Sequence, residues 1–201
     1  MTRHLLLFAK VPRVGAVKRR LAAEIGALAA WRFHRGNLAR LSRRLGRERR
    51  WRTWLALTPD RWPGGGGLGP PRLPCLRQGQ GDLGQRMART LAAVPPGPVV
   101  LIGADIPAIR VGHIAAAFRA LRQADAVFGP ATDGGFWLVG LARRRPMPGL
   151  FAGVRWSSPA ALADTLGNVA GNRRVALVAR LSDVDTAADL AALSQPSAGA
   201  R

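Results

Sequence analysis

The sequence predicts an α/β fold, a single domain whose mostly parallel sheet lies between two layers of helices. Apolar segments of strand length alternate along the chain with segments whose apolar residues recur at helical spacing. The strongest strand candidate, PVVLIGAD at 98–105, is apolar on both faces, as a central parallel strand must be. The chain has 201 residues and is 48% hydrophobic, which suits one domain with a substantial core.

The first half of the chain is expected to supply two strands and two helices. LLLFA at 5–9 and TWLAL at 53–57 are apolar runs of strand length. Residues 16–46 carry apolar side chains at helical spacing, and Gly36 is expected to divide them into two helices. Residues 59–82 contain PGGGGLGPP and no periodicity, which predicts a long loop.

The second half continues the alternation. Helical spacing marks 83–94, 114–121 and 162–169, while AVFG (126–129), FWLVGL (136–141) and VALVARL (175–181) are strand candidates. Thr186 and Asp189 match a capping box that opens a last helix. We therefore expect one domain over 1–194 and a disordered tail over 195–201.

Composition excludes several classes of site. The single cysteine, Cys75, allows no internal disulfide, and three scattered histidines (His4, His34 and His113) suggest no metal cluster. Arg3 precedes an apolar run of only five residues, whereas a signal peptide needs about 7–15 apolar residues and a membrane span about 20. The sequence thus predicts a cytoplasmic protein without a membrane span.

The formal charge of +20 invites a nucleic-acid interpretation, which we do not favour. Nearly all the cations are arginines, tyrosine is absent, and alanine, glycine and proline abound, as codon bias in a GC-rich gene would produce. The arginines are also spread over the whole chain. We expect no specific nucleic-acid partner.

The segment FAKVPRVGAVKRRL at 8–21 is a candidate phosphate-binding loop. Gly15 allows close backbone approach, and Lys10, Lys18 and Arg20 bring positive charge between a strand and a helix N-terminus. Neither the Walker A pattern nor GxGxxG is present. The alternative is an ordinary basic loop on a basic protein.

Aspartates follow two predicted strands where parallel α/β sheets bind ligands. Asp105 lies at the tip of the central strand, and Asp183 and Asp185 follow the last one. Mg²⁺ is typically held by one or two carboxylates together with substrate phosphates, so a metal role is favoured. The alternatives are a salt bridge for Asp105 and a helix cap for Asp183 or Asp185.

Two glycine-rich segments are further candidates for ligand contact. GPATDGGFWLVGL places Asp133, Gly134 and Gly135 between strands, where the alternative is a tight hairpin turn. QGQGDLGQRM places Gly79, Gly81 and Asp82 before a helix, where Asp82 could simply be the N-cap.

Six segments in this order, spanning about residues 4–193, resemble an uncharacterised bacterial family of glycosyltransferase-A-like proteins. They are FAKVPRVGAVKRRL, QGQGDLGQRM, LIGADIP, GPATDGGFWLVGL, FAGVRWSSP and LSDVDTAADL. The family is distantly similar to 2-phospholactate guanylyltransferases and to molybdenum-cofactor and sugar-phosphate nucleotidyltransferases. Arg19 departs from the small hydroxyl residue that is usual in the family.

The resemblance implies a nucleotide-diphospho-sugar transferase fold and a role for each segment. It implies that Gly15, Lys18 and Arg20 cradle nucleotide phosphates, and that Asp105 and Asp185 bind Mg²⁺ or Mn²⁺. The remaining implied contacts are with the base or ribose (Gly79, Gly81, Asp82) and with the acceptor (Asp133, Gly134, Gly135).

The expected function is transfer from a nucleotide or nucleotide sugar to an unknown small-molecule acceptor. Nucleotidyl and glycosyl transfer share one geometry, because each releases a polyphosphate whose charge a metal, Lys18 and Arg20 would neutralise. Asp133 could serve as general base for a hydroxyl acceptor. The alternative is a non-catalytic protein that binds a nucleotide or polyanion. The oligomeric state and the choice between Asp183 and Asp185 stay open.

Overall fold

Seven strands form one sheet in the computed structural model, which describes residues 1–61, 73–169 and 171–193. The spatial order is β3-β2-β1-β4-β6-β5-β7. In chain order the strands are β1 (His4–Lys10), β2 (Arg52–Thr58), β3 (Cys75–Arg77), β4 (Val99–Gly103), β5 (Ala126–Pro130), β6 (Phe136–Leu141) and β7 (Val175–Leu177).

Helices connect most of these strands. They are α1 (Arg19–Ile25), α2 (Ala27–Gly46), α3 (Leu83–Ala93), α4 (Val111–Ala120), α5 (Ala161–Gly167) and α6 (Ala187–Ala192). No helix in the described part of the chain is both long and apolar enough to cross a membrane.

The sheet is mostly parallel, as the sequence predicts. Four of its six neighbouring pairs are parallel, and β6 is the strand that runs antiparallel to both of its neighbours, β4 and β5. A tight hairpin joins β5 to β6, so the chain reverses there without a crossover helix. The carboxyl ends of the remaining strands share one edge of the sheet.

Alternate residues of the strands feed two separate cores. Leu5 and Leu7 of β1 pack on one face with apolar residues of α2 and α4. Leu6 points to the other face, where Met87 and Leu91 of α3 pack with residues near α5. The three-layer arrangement predicted from the alternation of strands and helices is therefore confirmed.

Two boundaries differ from the prediction. The break between the first two helices lies at Gly26, whose φ of 86° is a conformation that side-chain-bearing residues rarely adopt, whereas Gly36 lies inside α2. The predicted strand at 175–181 ends at Leu177, and Leu181 forms an isolated bridge with Ala131.

The predicted loop at 59–82 is interrupted by β3, which pairs with β2. Sequence pattern did not reveal this strand because it is three residues long. All of PGGGGLGPP and the predicted tail at 195–201 lie outside the described residues.

Candidate active site

A cleft of about 460 Å³ opens at the carboxyl edge of the sheet. Its floor includes Phe8, Met87 and Val139, and its volume falls within the range of about 300–1,000 Å³ usual for ligand pockets. Five of the candidate residues line it, and all five are charged: Lys10, Lys18, Arg20, Asp105 and Asp185. The cleft is thus an apolar hollow with a charged rim.

Lys18 joins the two candidate metal ligands. Its ammonium lies 2.8 Å from Oδ1 of Asp185 and 3.4 Å from Oδ1 of Asp105. The Lys18 side chain is 5% exposed, while those of Asp105 and Asp185 are 51% and 39% exposed. The aspartates therefore keep access to the cleft while the lysine is enclosed between them.

The backbone at Lys18 is unusual. Lys18 precedes α1 in the left-handed region, with φ 48° and ψ 52°, where a residue with a side chain costs roughly 1–2 kcal/mol. This conformation directs the chain from the basic loop into α1 and turns the lysine inward. Arg20 follows on the helix, with its guanidinium 3.8 Å from Oδ2 of Asp185.

The charges at this point stabilise one another. Burial alone would lower the pKa of Lys18, but the charge of Asp105 and the hydrogen bond to Asp185 outweigh it, so the pKa is raised. Burial would likewise raise the pKa of Asp105, yet His34 and Lys18 bring it below its ordinary value. Lys18 is therefore held as an ammonium and Asp105 as a carboxylate at neutral pH.

Asp183 lies half-buried near the carboxylates of Asp185 and Asp133. Burial raises its pKa, and the nearby charges of Asp185 and Asp133 raise it further. Neither Asp183 nor Asp185 caps α6, because Thr186 does so by accepting from the backbone N–H of Asp189. The predicted capping box is confirmed, so neither aspartate is needed as the N-cap of α6.

The donor set at Asp105 and Asp185 fits a divalent cation. The contacts of 2.8 and 3.4 Å to one ammonium place the two carboxylate oxygens within about 6 Å of each other. Two oxygens on one Mg²⁺ lie about 3–4 Å apart, so small side-chain rotations would suffice. In the described part of the chain, no three His, Cys, Asp or Glu side chains form a group that could hold an ion alone. Such a site would need further ligands from a substrate.

Gly15 lies in the turn before α1 with φ 76°, and a Cβ there would meet nothing within 4 Å. The glycine is therefore required by backbone conformation rather than by a close neighbour in the protein. Lys10 ends β1 in an exposed position at the rim. The basic segment thus lines one side of the cleft through Lys10 and residues 16–20, while Gly15 itself does not line it.

The segment from Gly79 to Asp82 has a structural explanation. Asp82 accepts from the backbone N–H of Gln85 at 2.8 Å and forms a capping box at the start of α3. Gly79 and Gly81 have positive φ, and the side chains of Arg89 and Gln85 lie directly over them. Asp82 lines a second cavity beside α3 and not the cleft.

Asp133, Gly134 and Gly135 form the hairpin turn between β5 and β6. Asp133 Oδ1 accepts from the backbone N–H of Gly135 at 2.9 Å, which is ordinary turn chemistry. Gly134 has φ 86°, and a Cβ there would clash with the backbone of Pro159. None of the three lines the cleft, although Asp133 is close enough to raise the pKa of Asp183.

Three buried polar residues in or beside the cleft were missed by sequence reasoning. His34 contacts Asp105, Asn37 donates to the carbonyl of Ala104 at 2.7 Å, and Gln78 donates to the carbonyls of Ala9 and Ala56. His34 and Asn37 interrupt the apolar face of α2 three residues apart. Polar residues at core positions of an amphipathic helix were the available signal.

Solved structures share this fold. A protein from Desulfovibrio desulfuricans G20, provisionally described as a nucleotide-diphospho-sugar transferase, superposes with a TM-score of 0.83 and 27% identity, over 97% of this chain and 87% of that chain. The 4-diphosphocytidyl-2C-methyl-D-erythritol synthase of Anaerococcus prevotii DSM 20548 gives 0.59 and 10%, over 96% and 99%. A CMP:2-keto-3-deoxy-manno-octonic acid synthetase in complex with CTP gives 0.53 and 11%, over 96% and 97%.

The second and third of these structures are similar to this chain in fold alone. The predicted nucleotide-diphospho-sugar transferase fold is thereby confirmed. No curated protein matches the chain. A family model matches residues 41–158, more than half of the sequence, and the chain therefore belongs to the bacterial family described as "Uncharacterized protein conserved in bacteria (DUF2064)".

Proposed function

We propose that this protein is a divalent-metal-dependent transferase that uses a nucleotide or nucleotide-sugar donor. The observation that carries the proposal is the meeting of Asp105, Asp185 and Lys18 at the mouth of the cleft. The three residues come from three separate segments of the chain. They converge at the carboxyl edge of the sheet, which is where open α/β folds bind their ligands.

Asp105 and Asp185 are proposed to hold Mg²⁺ or Mn²⁺ together with donor phosphates. Bound there, the metal would supply Lewis-acid stabilisation of a polyphosphate leaving group. Mg²⁺ usually keeps waters and takes few protein carboxylates, which agrees with a site that offers two. Asp183 lies near enough to add negative charge without contacting Lys18 itself.

Lys18 and Arg20 are proposed to bind the donor phosphates. Lys18 contacts both aspartates in the protein alone, and a divalent cation between them would repel its ammonium. The ammonium would then favour the phosphates, which lie on the same side of the cleft as Arg20 and the exposed Lys10 in this proposal. One lysine would thus serve as counter-ion before binding and as phosphate ligand after it.

Other assignments from the resemblance stay predictions. Gly79, Gly81 and Asp82 are proposed to lie near the base or ribose, and Asp133, Gly134 and Gly135 on the acceptor side. Local turn and capping contacts already explain these residues, so their roles depend on the resemblance. The acceptor and the choice between nucleotidyl and glycosyl transfer are not assigned.

One observation favours a second candidate, a non-catalytic nucleotide-binding protein. The ammonium of Lys18 contacts both aspartates and the guanidinium of Arg20 lies 3.8 Å from Asp185, so two cations face the two carboxylates without a metal. Such a protein would bind polyphosphates through the basic loop and would gain nothing from Mg²⁺.

A thermal-shift screen separates the two. Nucleoside triphosphates and nucleotide sugars are tested on the intact protein, each with Mg²⁺, with Mn²⁺ and with a chelator. The transferase proposal expects stabilisation that requires the metal, of about 2.7 kcal/mol at a ligand concentration 100 times Kd. Equal stabilisation in the chelator supports the non-catalytic protein, and no stabilisation by any nucleotide contradicts both.

A further inference from the structure

His34 links the two strands that deliver the basic loop and the central aspartate. It lies on the inner face of α2, and its side chain is 5% exposed. Its Nε2 lies 2.9 Å from the carbonyl oxygen of Lys10, at the end of β1. Its Nδ1 lies 3.5 Å from Oδ1 of Asp105, just beyond β4.

The two contacts of the ring have different partners and different consequences. The carbonyl of Lys10 and the carboxylate of Asp105 both only accept, so Nε2 donates to Lys10, and a ring that carries both protons also turns an Nδ1–H toward Asp105. That bond sets the plane of the ring and holds Nδ1 toward Asp105. Removing one contact without the other is therefore possible in principle, because each belongs to a separate nitrogen.

Asn37 lies three residues after His34 on α2 and supports the same segment, the backbone that follows β4. Its Nδ2 donates to the carbonyl of Ala104 at 2.7 Å, and its Oδ1 accepts from Arg40 at 2.9 Å. Backbone and side chain of the Ala104–Asp105 pair are thus held from one face of α2. Residues three apart on a helix share a face, which explains why a single element reaches both.

The Asp105 carboxylate is held through one oxygen. His34 and Lys18 both approach Oδ1, and among the described residues no donor contacts Oδ2. The side chain is half exposed, so packing alone does not orient it. If Lys18 turns to phosphates, His34 becomes the remaining side chain that holds Oδ1.

We propose that His34 is a positioning residue, which orients the Asp105 carboxylate so that its free oxygen faces the cleft for a metal–nucleotide ligand. This inference rests on the proposed function. It predicts that the contact with Asp105 matters for binding, whereas the contact with Lys10 matters for stability. Partners that orient a metal-binding carboxylate typically contribute about 10–100-fold in affinity.

Two variants separate the contacts. His34→Gln places an amide nitrogen near the position of Nε2, which keeps the bond to Lys10 and removes the contact with Asp105. His34→Asn places its amide nitrogen near the position of Nδ1 and does the reverse. His113→Gln is the matched control, because His113 is a partly buried histidine that packs on Trp137 and does not line the cleft.

The experiment measures the melting temperature without ligand and the affinity for the best Mn²⁺–nucleotide pair from the screen. We expect His34→Gln to melt within about 2 °C of the wild type and to bind about 10-fold more weakly. We expect His34→Asn to melt lower and to bind within about 3-fold of the wild type. The control should match the wild type in binding.

Each other outcome has a distinct meaning. Undiminished binding by His34→Gln overturns the positioning role and leaves the proposed function intact. Equal loss of binding in both variants, in step with their loss of stability, shows a merely structural histidine and also overturns the role. Absence of metal-dependent binding in the wild type overturns the proposed function, and the inference with it.

Discussion

The ammonium of Lys18 lies 2.8 Å from a carboxylate oxygen of Asp185, across 167 positions of sequence. The contact connects the N-cap residue of α1 to the segment that follows the last strand. Because Asp105 shares the same ammonium at 3.4 Å, the protein carries its own cation between two candidate metal ligands. A metal ion and Lys18 would therefore compete for the same oxygens.

Replacing Lys18 by methionine should strengthen the binding of Mn²⁺ alone. The variant leaves Asp105 and Asp185 without their shared cation, so a divalent ion no longer competes with an ammonium held between them. We expect affinity for Mn²⁺ without nucleotide to rise at least about 10-fold, which corresponds to about 1.4 kcal/mol. Isothermal titration calorimetry or Mn²⁺ electron paramagnetic resonance measures it directly.

Lys10→Met is the matched control for that measurement. Lys10 belongs to the same basic segment but is exposed, and it makes no ion pair with either aspartate. Its replacement removes the same charge and should leave Mn²⁺ affinity within about 2-fold. Unchanged or weaker Mn²⁺ binding by Lys18→Met would show that the ammonium and the metal do not share a site.

Asp105→Asn should abolish metal-dependent nucleotide binding while the fold stays intact. The amide is nearly isosteric but removes the negative charge that a divalent cation requires. The half-exposed side chain makes an unfolded variant unexpected, and circular dichroism checks this. Asp125→Asn is the control, since Asp125 lies before β5 at the opposite edge of the sheet. Full Mg²⁺-dependent stabilisation of Asp105→Asn by nucleotide would refute the assignment.

The longer strands were predictable because their signal is local, whereas the three-residue β3 was not. Runs such as LLLFA and VVLIG are buried on both faces apart from the half-buried Phe8 and Gly103, as expected of strands that lie between two helical layers. The break at Gly26 was not predictable in the same way. Gly26 and Gly36 both lie among helically spaced apolar residues, and the backbone angle that separates them depends on how α1 and α2 pack.

The candidate site was predictable only in part, for a related reason. Asp105 and Asp185 follow strands, and the shared edge of a parallel sheet brings such residues together. The contact of His34 with Asp105 depends on how α2 lies against the end of β4, which no local pattern contains. The burial of the Lys18 side chain depends on its left-handed backbone conformation. Residues other than glycine seldom adopt that conformation, so the sequence does not predict it.

Asp183 should make stability depend on pH in a defined direction. Its pKa is raised by burial and by the charges of Asp185 and Asp133, so the folded protein binds this proton more tightly than the unfolded chain does. Stability therefore falls as pH rises from the unfolded pKa of about 3.9 through the folded pKa. Above both values the cost of the buried carboxylate is complete.

Asp183→Asn should remove that cost. At pH 7 we expect a gain on the order of 0.5 kcal/mol, or a rise in melting temperature of roughly 1–2 °C. At about pH 3 both forms are uncharged at this position, so the gain should vanish. Melting curves of wild type and variant from pH 3 to 8 measure the difference, and a gain that grew toward acid pH would contradict the sign.

Two glycine-to-alanine substitutions should shift stability in opposite directions. Gly36 lies exposed inside α2, and a Cβ there would meet nothing within 4 Å, so Gly36→Ala gains helix propensity of about 0.5–1 kcal/mol. Gly84 is buried near the start of α3, where a Cβ would lie 2.6 Å from Cβ of Phe151 and 2.8 Å from Cζ2 of Trp156. Overpacking there should cost about 1–3 kcal/mol.

Urea unfolding and thermal melting of the two variants measure the contrast. Since 1 kcal/mol corresponds to roughly 2–4 °C for a chain of this size, the melting temperatures should lie on opposite sides of the wild type. The comparison also tests the helix boundary, because a helix break at Gly36 would make that alanine neutral or destabilising. A stabilised Gly84→Ala would mean that the segment carrying Phe151 and Trp156 packs more loosely on α3 than the structure indicates.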